Sequence, residues 1–312
     1  MLIRKAIVLL GLFVISITGN AQLKFGIFRK VELGVNTGPL FFLGDLGGNL
    51  GEGKHFFKDI NWEETKLGLG VQLNFFPTNW ISLRTGFHHG AVAGNDIHSP
   101  NITDNDIFRF NRNLHFRSRI DELYAGLEIY PFRIIPTTRE TIFDIVQPYA
   151  FAGAGVFHFN PQAKDIDNTW ISLHPLRLEG QGFTEYPTSK LYKLTQFNLM
   201  GGVGFKYYIN PSTYIGIELL YRKLFTDQID NVSAYFYVDP ATFDNYLNPA
   251  NAARAKRLYY QGKYNLGGQL PYQANLPRGN PNQNDAYFGQ TIHFGMRIFP
   301  QRDKRLSCPV AF

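Results

Sequence analysis

The segment KLGLGVQLNFF, residues 66–76, alternates without a break: Leu67, Leu69, Val71, Leu73 and Phe75 share one face, and Gly68, Gly70, Gln72 and Asn74 the other. Successive side chains of a strand point to opposite faces, so the pattern predicts a strand with one apolar face and one polar or very small face. After the turn FPTN, the stretch ISLRTGFHH repeats it, with Ile81, Leu83, Thr85 and Phe87 against Ser82, Arg84, Gly86 and His88, and the two segments read as a hairpin. The same alternation marks VELGVN (31–36), ELYAGLEIY (122–130), QPYAFAGAGVFHF (147–159), QFNLMGGVGFKYY (196–208), YIGIELLYR (214–222) and YFGQTIHFGMRIF (287–299). Eight strands result. In the fifth, small and aromatic residues occupy both faces, and the alternation alone does not assign them.

The links between these segments alternate in length. Those after strands two, four and six are short or moderate, whereas those after one, three, five and seven are long, the last about 60 residues from Thr226 to Ala286. An even meander with short turns on one side and long loops on the other predicts an all-β chain: an 8-stranded antiparallel up-and-down transmembrane β-barrel with short periplasmic turns and long extracellular loops. Closure removes the sheet edges that lipid could not satisfy. A soluble sandwich or lipocalin-like barrel also uses short alternating strands, but its second face would need the charges of a watery surface. Here that face is built from glycine and sparse charges of both signs. Glu32, Arg84, Glu128, Lys206, Glu218, Arg222 and Arg297 all fall on it, and an interior charge network is the arrangement that makes buried ions tolerable. Side chains nearly fill the bore of an eight-stranded barrel, which argues against a general diffusion pore.

The ends give the expected domain organisation. Residues 1–21 carry two basic residues, Arg4 and Lys5, an apolar run from Ala6 to Ile17 and small residues ending at Ala21, the layout of a removable export signal. The run is too short to favour a spanning helix, and no cysteine follows Ala21 to accept lipid. Residues 22–299 form the expected outer-membrane barrel and 300–312 a basic periplasmic tail. Without the signal, 29 basic residues stand against 25 acidic ones, an excess too mild and too unclustered for nucleic acid. A single cysteine, Cys308, cannot close an internal disulfide, so a ladder and packing must hold the fold. Cys308 lies beyond the last strand, and an unpaired thiol in an exported chain is a candidate for an intermolecular disulfide.

No catalytic constellation emerges. His88 and His89 adjoin on one strand and must point opposite ways, and no serine with an acidic partner stands at the same depth. His55, His98, His115, His158, His174 and His293 are scattered singly, and TDND (103–106) alone is weak as a metal loop. GLGVQL and GAGVFHF superficially resemble dinucleotide turns but lie inside strands with no helix following. The chain is therefore expected to be no enzyme and to need no cofactor or metal. Function falls to the ends. The loop from Asp227 to Asp285 balances five acidic against five basic residues, and could cover the barrel or bind a surface partner. On the inner side Lys24, Arg29, Lys30, Arg133, Arg139, Arg302, Lys304 and Arg305 outnumber Glu140, Asp144 and Asp303, which suits anionic lipid headgroups or the docking of a periplasmic protein.

Five stretches carry a family resemblance: VELGVNTGPLFFLGDLGG (31–48), DELYAGLEIYPFR (121–133), PYAFAGAGVFHFNPQA (148–163), LRLEGQG (176–182) and GGVGFKYYINPSTYIGIELLYRKLFTDQIDNVS (201–233). The chain resembles the PorG-type outer-membrane barrels of the type IX secretion system. The most specific pieces are LEGQG and INPSTYIGIELLYRKLFTD, because barrel physics does not demand those residues. The resemblance implies a non-enzymatic outer-membrane protein that works with a PorK-like lipoprotein and a PorN-like partner beneath the membrane in secreting cargo. A structural or surface-binding barrel acting through its extracellular loops is the alternative. In LFTDQIDNVS, Gln228 and Asn231 stand where the resemblance leads one to expect acidic residues, which speaks against an ion-binding role for that loop.

Overall fold

The computed structural model describes residues 31–46, 62–98, 109, 111–134, 142–262 and 278–298. Its strands are β1 (Val31–Leu43), β2 (Lys66–Phe75), β3 (Ile81–Asn95), β4 (His115–Ile129), β5 (Val146–Lys164), a short β6 (Trp170–Ser172), β7 (Thr195–Asn210), β8 (Thr213–Leu224) and β9 (Ala286–Ile298). Every long strand pairs antiparallel with its neighbour in the chain, and β1 pairs with β9 through Val31↔Ile298 and Leu43↔Ala286. Eight strands therefore close into a barrel with no free edge, as the alternation predicts. β6 lies outside the ring, adding to the tip of β5 through Ala163↔Ile171.

The two faces separate as the sequence pattern requires. Leu33, Val35, Leu69, Val71, Val203, Phe205, Ile292 and Phe294 point outward and are each between 43 and 60% exposed. On a protein in water such an aliphatic belt would be costly, and in a bilayer it is the lipid contact. The belt ends above at a row of outward polar residues in cross-strand register, His89↔Asp121↔His158↔Thr195, with His89 Nδ1 2.6 Å from Asp121 Oδ1 and His158 Nδ1 3.0 Å from Thr195 Oγ1. Below, Trp80 and Tyr207 sit half-exposed near the short turns, where aromatic rings suit the membrane interface. The path from Ile81 to His89 on β3 is about 26 Å along the strand, or about 20 Å along the barrel axis at a ~40° tilt.

The ambiguous fifth segment resolves on this scale. Tyr149, Phe151, Phe157 and Phe159 point inward and Ala150, Ala152 and Ala154 outward, so the large residues of β5 fill the bore. Inward glycines on other strands make room for such rings. A Cβ on Gly204 would fall 2.6 Å from the Tyr149 hydroxyl, and one on Gly86 2.6 Å from that of Tyr124.

Strands β3, β4 and β5 continue past the polar row and carry a folded cap, which the sequence pattern shows only as long loops. Two helices, α1 (Thr242–Tyr246) and α2 (Pro249–Leu258), lie within the loop from β8 to β9. Asn248 caps α2, its Oδ1 accepting from Asn251 N at 2.9 Å, with Pro249 at the first helical position. Ala252, Ala255 and Leu258 on one face of α2 bury against Leu173, Leu176 and Leu178 of the loop from β6 to β7, and Phe183 stacks on Tyr246 at 4.2 Å.

Candidate functional site: the sealed lumen and the extracellular cap

The lumen is organised around ion pairs that cross it. Arg84 on β3 donates through Nε to Glu128 Oε1 on β4 and through Nη1 to Glu218 Oε2 on β8, both at 2.6 Å. Lys206 on β7 lies 3.1 Å from Glu32 on β1 and 3.2 Å from Glu128, and Arg297 Nε lies 3.0 Å from Glu32 Oε1 at the periplasmic mouth. Tyr208 and Tyr149 add hydroxyl donors to Glu32 and Glu218 at 2.5 and 2.8 Å, and Tyr130 donates to Glu128. Higher in the bore, Glu122 accepts from Arg222 Nε at 2.8 Å, Asn198 Nδ2 at 2.5 Å and Tyr287 at 2.9 Å.

Four carboxylates, Glu32, Glu122, Glu128 and Glu218, thus face four cations, Arg84, Lys206, Arg222 and Arg297. All but Arg297 are at most 2% exposed. Such pairing is what lets ions stay buried, and breaking one side of a pair is far more costly than never having built it. Above and between the ion pairs, Ile120, Phe157, Phe159, Leu224 and Tyr287 pack together, each fully buried. The side chains that would have to part for a solute to pass are therefore tied across the bore.

Two residues lace the cap together. Arg112 donates to both Asp96 oxygens, Nε at 2.7 Å and Nη2 at 3.1 Å, to Asp45 O at 2.6 Å and to Arg278 O, joining three of the four long connections. Glu179 joins the remaining one. It accepts from Ser233 N at 2.7 Å, Ser233 Oγ at 2.6 Å, Ala234 N at 2.8 Å and Gln228 Nε2 at 3.1 Å, and pairs with Arg278. Glycines 180 and 182 flank it with φ of +68° and +77°, a backbone region that only glycine enters freely. A Cβ on Gly180 would also strike the Tyr186 ring at 2.5 Å. The LEGQG stretch is thus a latch, and its residues are set by a turn and a carboxylate that must meet five donors from the β8–β9 loop. A further tie holds α2: Arg257 grips Asp165 at 2.7 and 2.5 Å, which keeps the Asp165 carboxyl below its ordinary value.

Beneath the latch lies a group of aspartates with little to neutralise them. Asp230 and Asp285 are each 1% exposed and Asp227 9%. Asp285 Oδ2 accepts from Ile229 N at 2.8 Å and Asp230 Oδ1 from Val232 N at 2.8 Å, but the other oxygen of each, and both of Asp227, lack any partner. Burial first, then the nearby Asp230, Asp45 and Glu179 carboxylates, push Asp227 up to about 10. Burial with Asp45 raises Asp230 well above the usual carboxylate range, and burial with Asp230 and Asp227 does the same to Asp285. Beside this group a cleft of about 600 Å³ opens to the outside, bordered by Asp227, Gln228, Thr188, Asn284 and the exposed rings of Tyr235 and Phe236.

The structure brings Glu32, Arg84, Glu128, Lys206 and Glu218 together with Arg297 in one network, and places Arg222 in a second with Glu122. Glu122 shares the parity of Glu128 on β4, so the alternation that picks out the one also contains the other. Of the candidate docking residues, Arg133 is half-buried just after β4, with Nη1 3.2 Å from Gln147 Oε1. Lys24, Arg29, Lys30, Arg139, Arg302, Lys304 and Arg305, with Cys308, lie outside the described residues. His88 points inward and His89 outward, as their adjacency requires. Gln228 and Asn231 are engaged in the cap, Asn231 Oδ1 accepting from the Tyr192 hydroxyl at 3.0 Å.

No protein-family model matches the chain, and no curated protein matches it. Among solved structures, the Neisserial surface protein A is similar at 7% identity, with 86% of this chain and 97% of that chain covered and a TM-score of 0.40. The Yersinia pestis attachment invasion locus protein Ail, solved with a heparin analogue, is similar at 10% identity, covering 86% and 97% with a TM-score of 0.34. The Pseudomonas aeruginosa outer membrane protein OprG gives 10%, 85%, 94% and 0.33 in the same order. Likenesses this loose carry no residue role or ligand to this chain. Its own closure, outward aliphatic belt and ion-paired interior make it an outer-membrane-type barrel of eight strands.

Proposed function

We propose that the protein is a non-enzymatic outer-membrane component of a type IX protein secretion apparatus, a closed post that docks periplasmic ring proteins, PorK-like and PorN-like, to the membrane. The observation that carries the reading is the lumen. Its four carboxylates and four cations neutralise one another across the bore, so the barrel offers no route for a solute and its work falls to its ends. The type IX assignment is supported by the sequence resemblance, whose stretches run through β1, β4, β5, β7, β8 and the LEGQG latch. Docking is assigned to the basic residues of the periplasmic side, Lys24, Arg29, Lys30, Arg133, Arg139, Arg302, Lys304 and Arg305, with Cys308 as a covalent tie. Crosslinking in intact cells, followed by isolation under non-reducing conditions, should recover a periplasmic partner with the wild-type chain and lose it when residues 300–312 are deleted. Recovery of the barrel alone, with cargo secretion normal in its absence, would contradict the proposal.

A second reading is favoured by the cap cleft, where Tyr235 and Phe236 stand 53% and 51% exposed beside polar lining residues. In that reading the barrel binds a partner outside the cell. Replacing both rings with alanine should then abolish surface binding and leave periplasmic crosslinking unchanged.

A further inference from the structure

Above the aliphatic belt, one flank of the barrel is cationic on its outward face. Asp121 of the polar row is followed upward on β4, at every second position, by Arg119 and Arg117, so both arginines point outward as Asp121 does. Across the ladder they lie beside Asn160 and Gln162 of β5, and the exposed Lys164 continues that face of β5 above them. Lys193, also exposed, stands two residues before Thr195, which pairs with His158 in the row. The outward positions of β1 and β9 carry no charge, so these cations are gathered on one side of the barrel.

Among the described residues no carboxylate neutralises the two arginines. Arg119 is exposed and has neither a hydrogen-bond nor an ion-pair partner among those residues. Arg117 donates through Nε to Gln162 Oε1 at 3.2 Å and lays its guanidinium 3.9 Å from the centre of the Trp170 ring. Those two contacts hold the guanidinium in place, and its terminal nitrogens have no partner among the described residues. The nearby carboxylates are taken, Asp121 by His89, Asp165 by Arg257 and Asp167 by Thr169. Burial, then the charge of Arg119, lowers Arg117 below its ordinary value, the second effect being that of like charges held side by side.

The height of the pair decides what it meets. Two residues rise about 6.8 Å along a strand, or about 5 Å along the axis at a ~40° tilt. Arg119 therefore lies about 5 Å above the row that ends the belt, and Arg117 about 10 Å above it. A bilayer carries about 5–8 Å of headgroup on each side of its hydrocarbon. Arg119 is thus level with the lipid phosphates and Arg117 at their outer margin, and a charge reaches about 8 Å through physiological salt. We infer that Arg117 and Arg119 seat the phosphate of an anionic lipid headgroup in the outer leaflet, with Lys164 and Lys193 adding to the attraction. The ligand class follows from the donors, because the planar fork of arginine meets phosphate oxygens two at a time. The site lies on the opposite side of the membrane from the periplasmic docking residues and does not rest on them.

The test titrates the full-length folded barrel, in a neutral detergent, with phosphatidylglycerol or phosphatidylcholine and reads bound lipid by native mass spectrometry. Wild type should bind phosphatidylglycerol in preference to phosphatidylcholine. Arg117→Gln with Arg119→Gln should weaken the binding of phosphatidylglycerol about 25-fold, at about fivefold for each charge near the surface. Both side chains point off the barrel wall, so this variant should keep its heat-modifiable band. Lys256→Gln, on α2 where Lys256 pairs with Asp244, should leave the binding unchanged. Equal binding of the two lipids by wild type, or an unchanged affinity in the double variant, would overturn the inference. Inorganic phosphate in excess should leave the lipid bound, and displacement by it would make the patch a site for the free ion. Dextran sulfate bound by wild type and lost in the double variant, with phosphatidylglycerol binding unaltered, would assign the patch to an acidic glycan and overturn the lipid.

Discussion

Arg84 is the residue on which the lower lumen turns. It bonds two carboxylates from strands on either side of the bore, Glu128 and Glu218, and its guanidinium sits 4.6 Å over the Phe151 ring. Removing it leaves two buried carboxylates short of a partner, so Arg84→Ala should lower unfolding stability by about 3–5 kcal/mol, read as a shift in the urea midpoint of the folded, heat-modifiable band. Outside the membrane, Asp165 gives a residue-scale pH prediction. Its carboxyl is held below the ordinary value of 3.8, first by hydrogen bonding to Arg257. A depressed carboxyl stabilises the fold above its unfolded value and loses that contribution as the pH falls through the lowered one. The protection of the α2 amides, taken relative to their intrinsic exchange rates, should therefore be flat above about pH 5 and fall below about pH 4, and Asp165→Asn should abolish the step.

At the scale of elements, the strands are legible and the cap is not, for one physical reason. A strand in lipid must alternate with period two because one face meets hydrocarbon and the other a packed bore, so KLGLGVQLNFF and its seven counterparts announce themselves. The strand ends are longer than the alternation shows, since β3, β4 and β5 run on above the membrane, where neither face has to be aliphatic. The cap obeys no such period. Its core is assembled from Leu176, Phe183, Phe243 and Leu258, residues scattered through two loops, and its longer helix starts at Asn248 and Pro249, inside a stretch that the alternation leaves as loop. The aspartate group is equally hidden, because its members meet only after the loops close. The LEGQG latch offers the element-scale test. Glu179→Ala frees the Ser233 and Ala234 amides and Arg278 at once, and it should expose the β8–β9 loop to protease on whole cells while the barrel band remains heat-modifiable. Gly180→Ala should do the same through backbone strain, at a cost of at least about 1 kcal/mol.

The whole molecule is a cylinder closed by hydrogen bonds around its wall, by ion pairs and rings across its bore, and by a folded cap on one end. That arrangement accounts for the charges on the inward face, the glycines that admit tyrosine rings, and the conspicuous residues that barrel physics leaves over. The proposed function places its work on the surfaces at either end. The most direct test of this claim is the conductance of the purified barrel in planar lipid bilayers. A closed post should give no channel openings, before or after Glu179→Ala loosens the cap, because the lumen itself is sealed. Sustained single-channel currents from the wild-type chain would contradict the account at its centre.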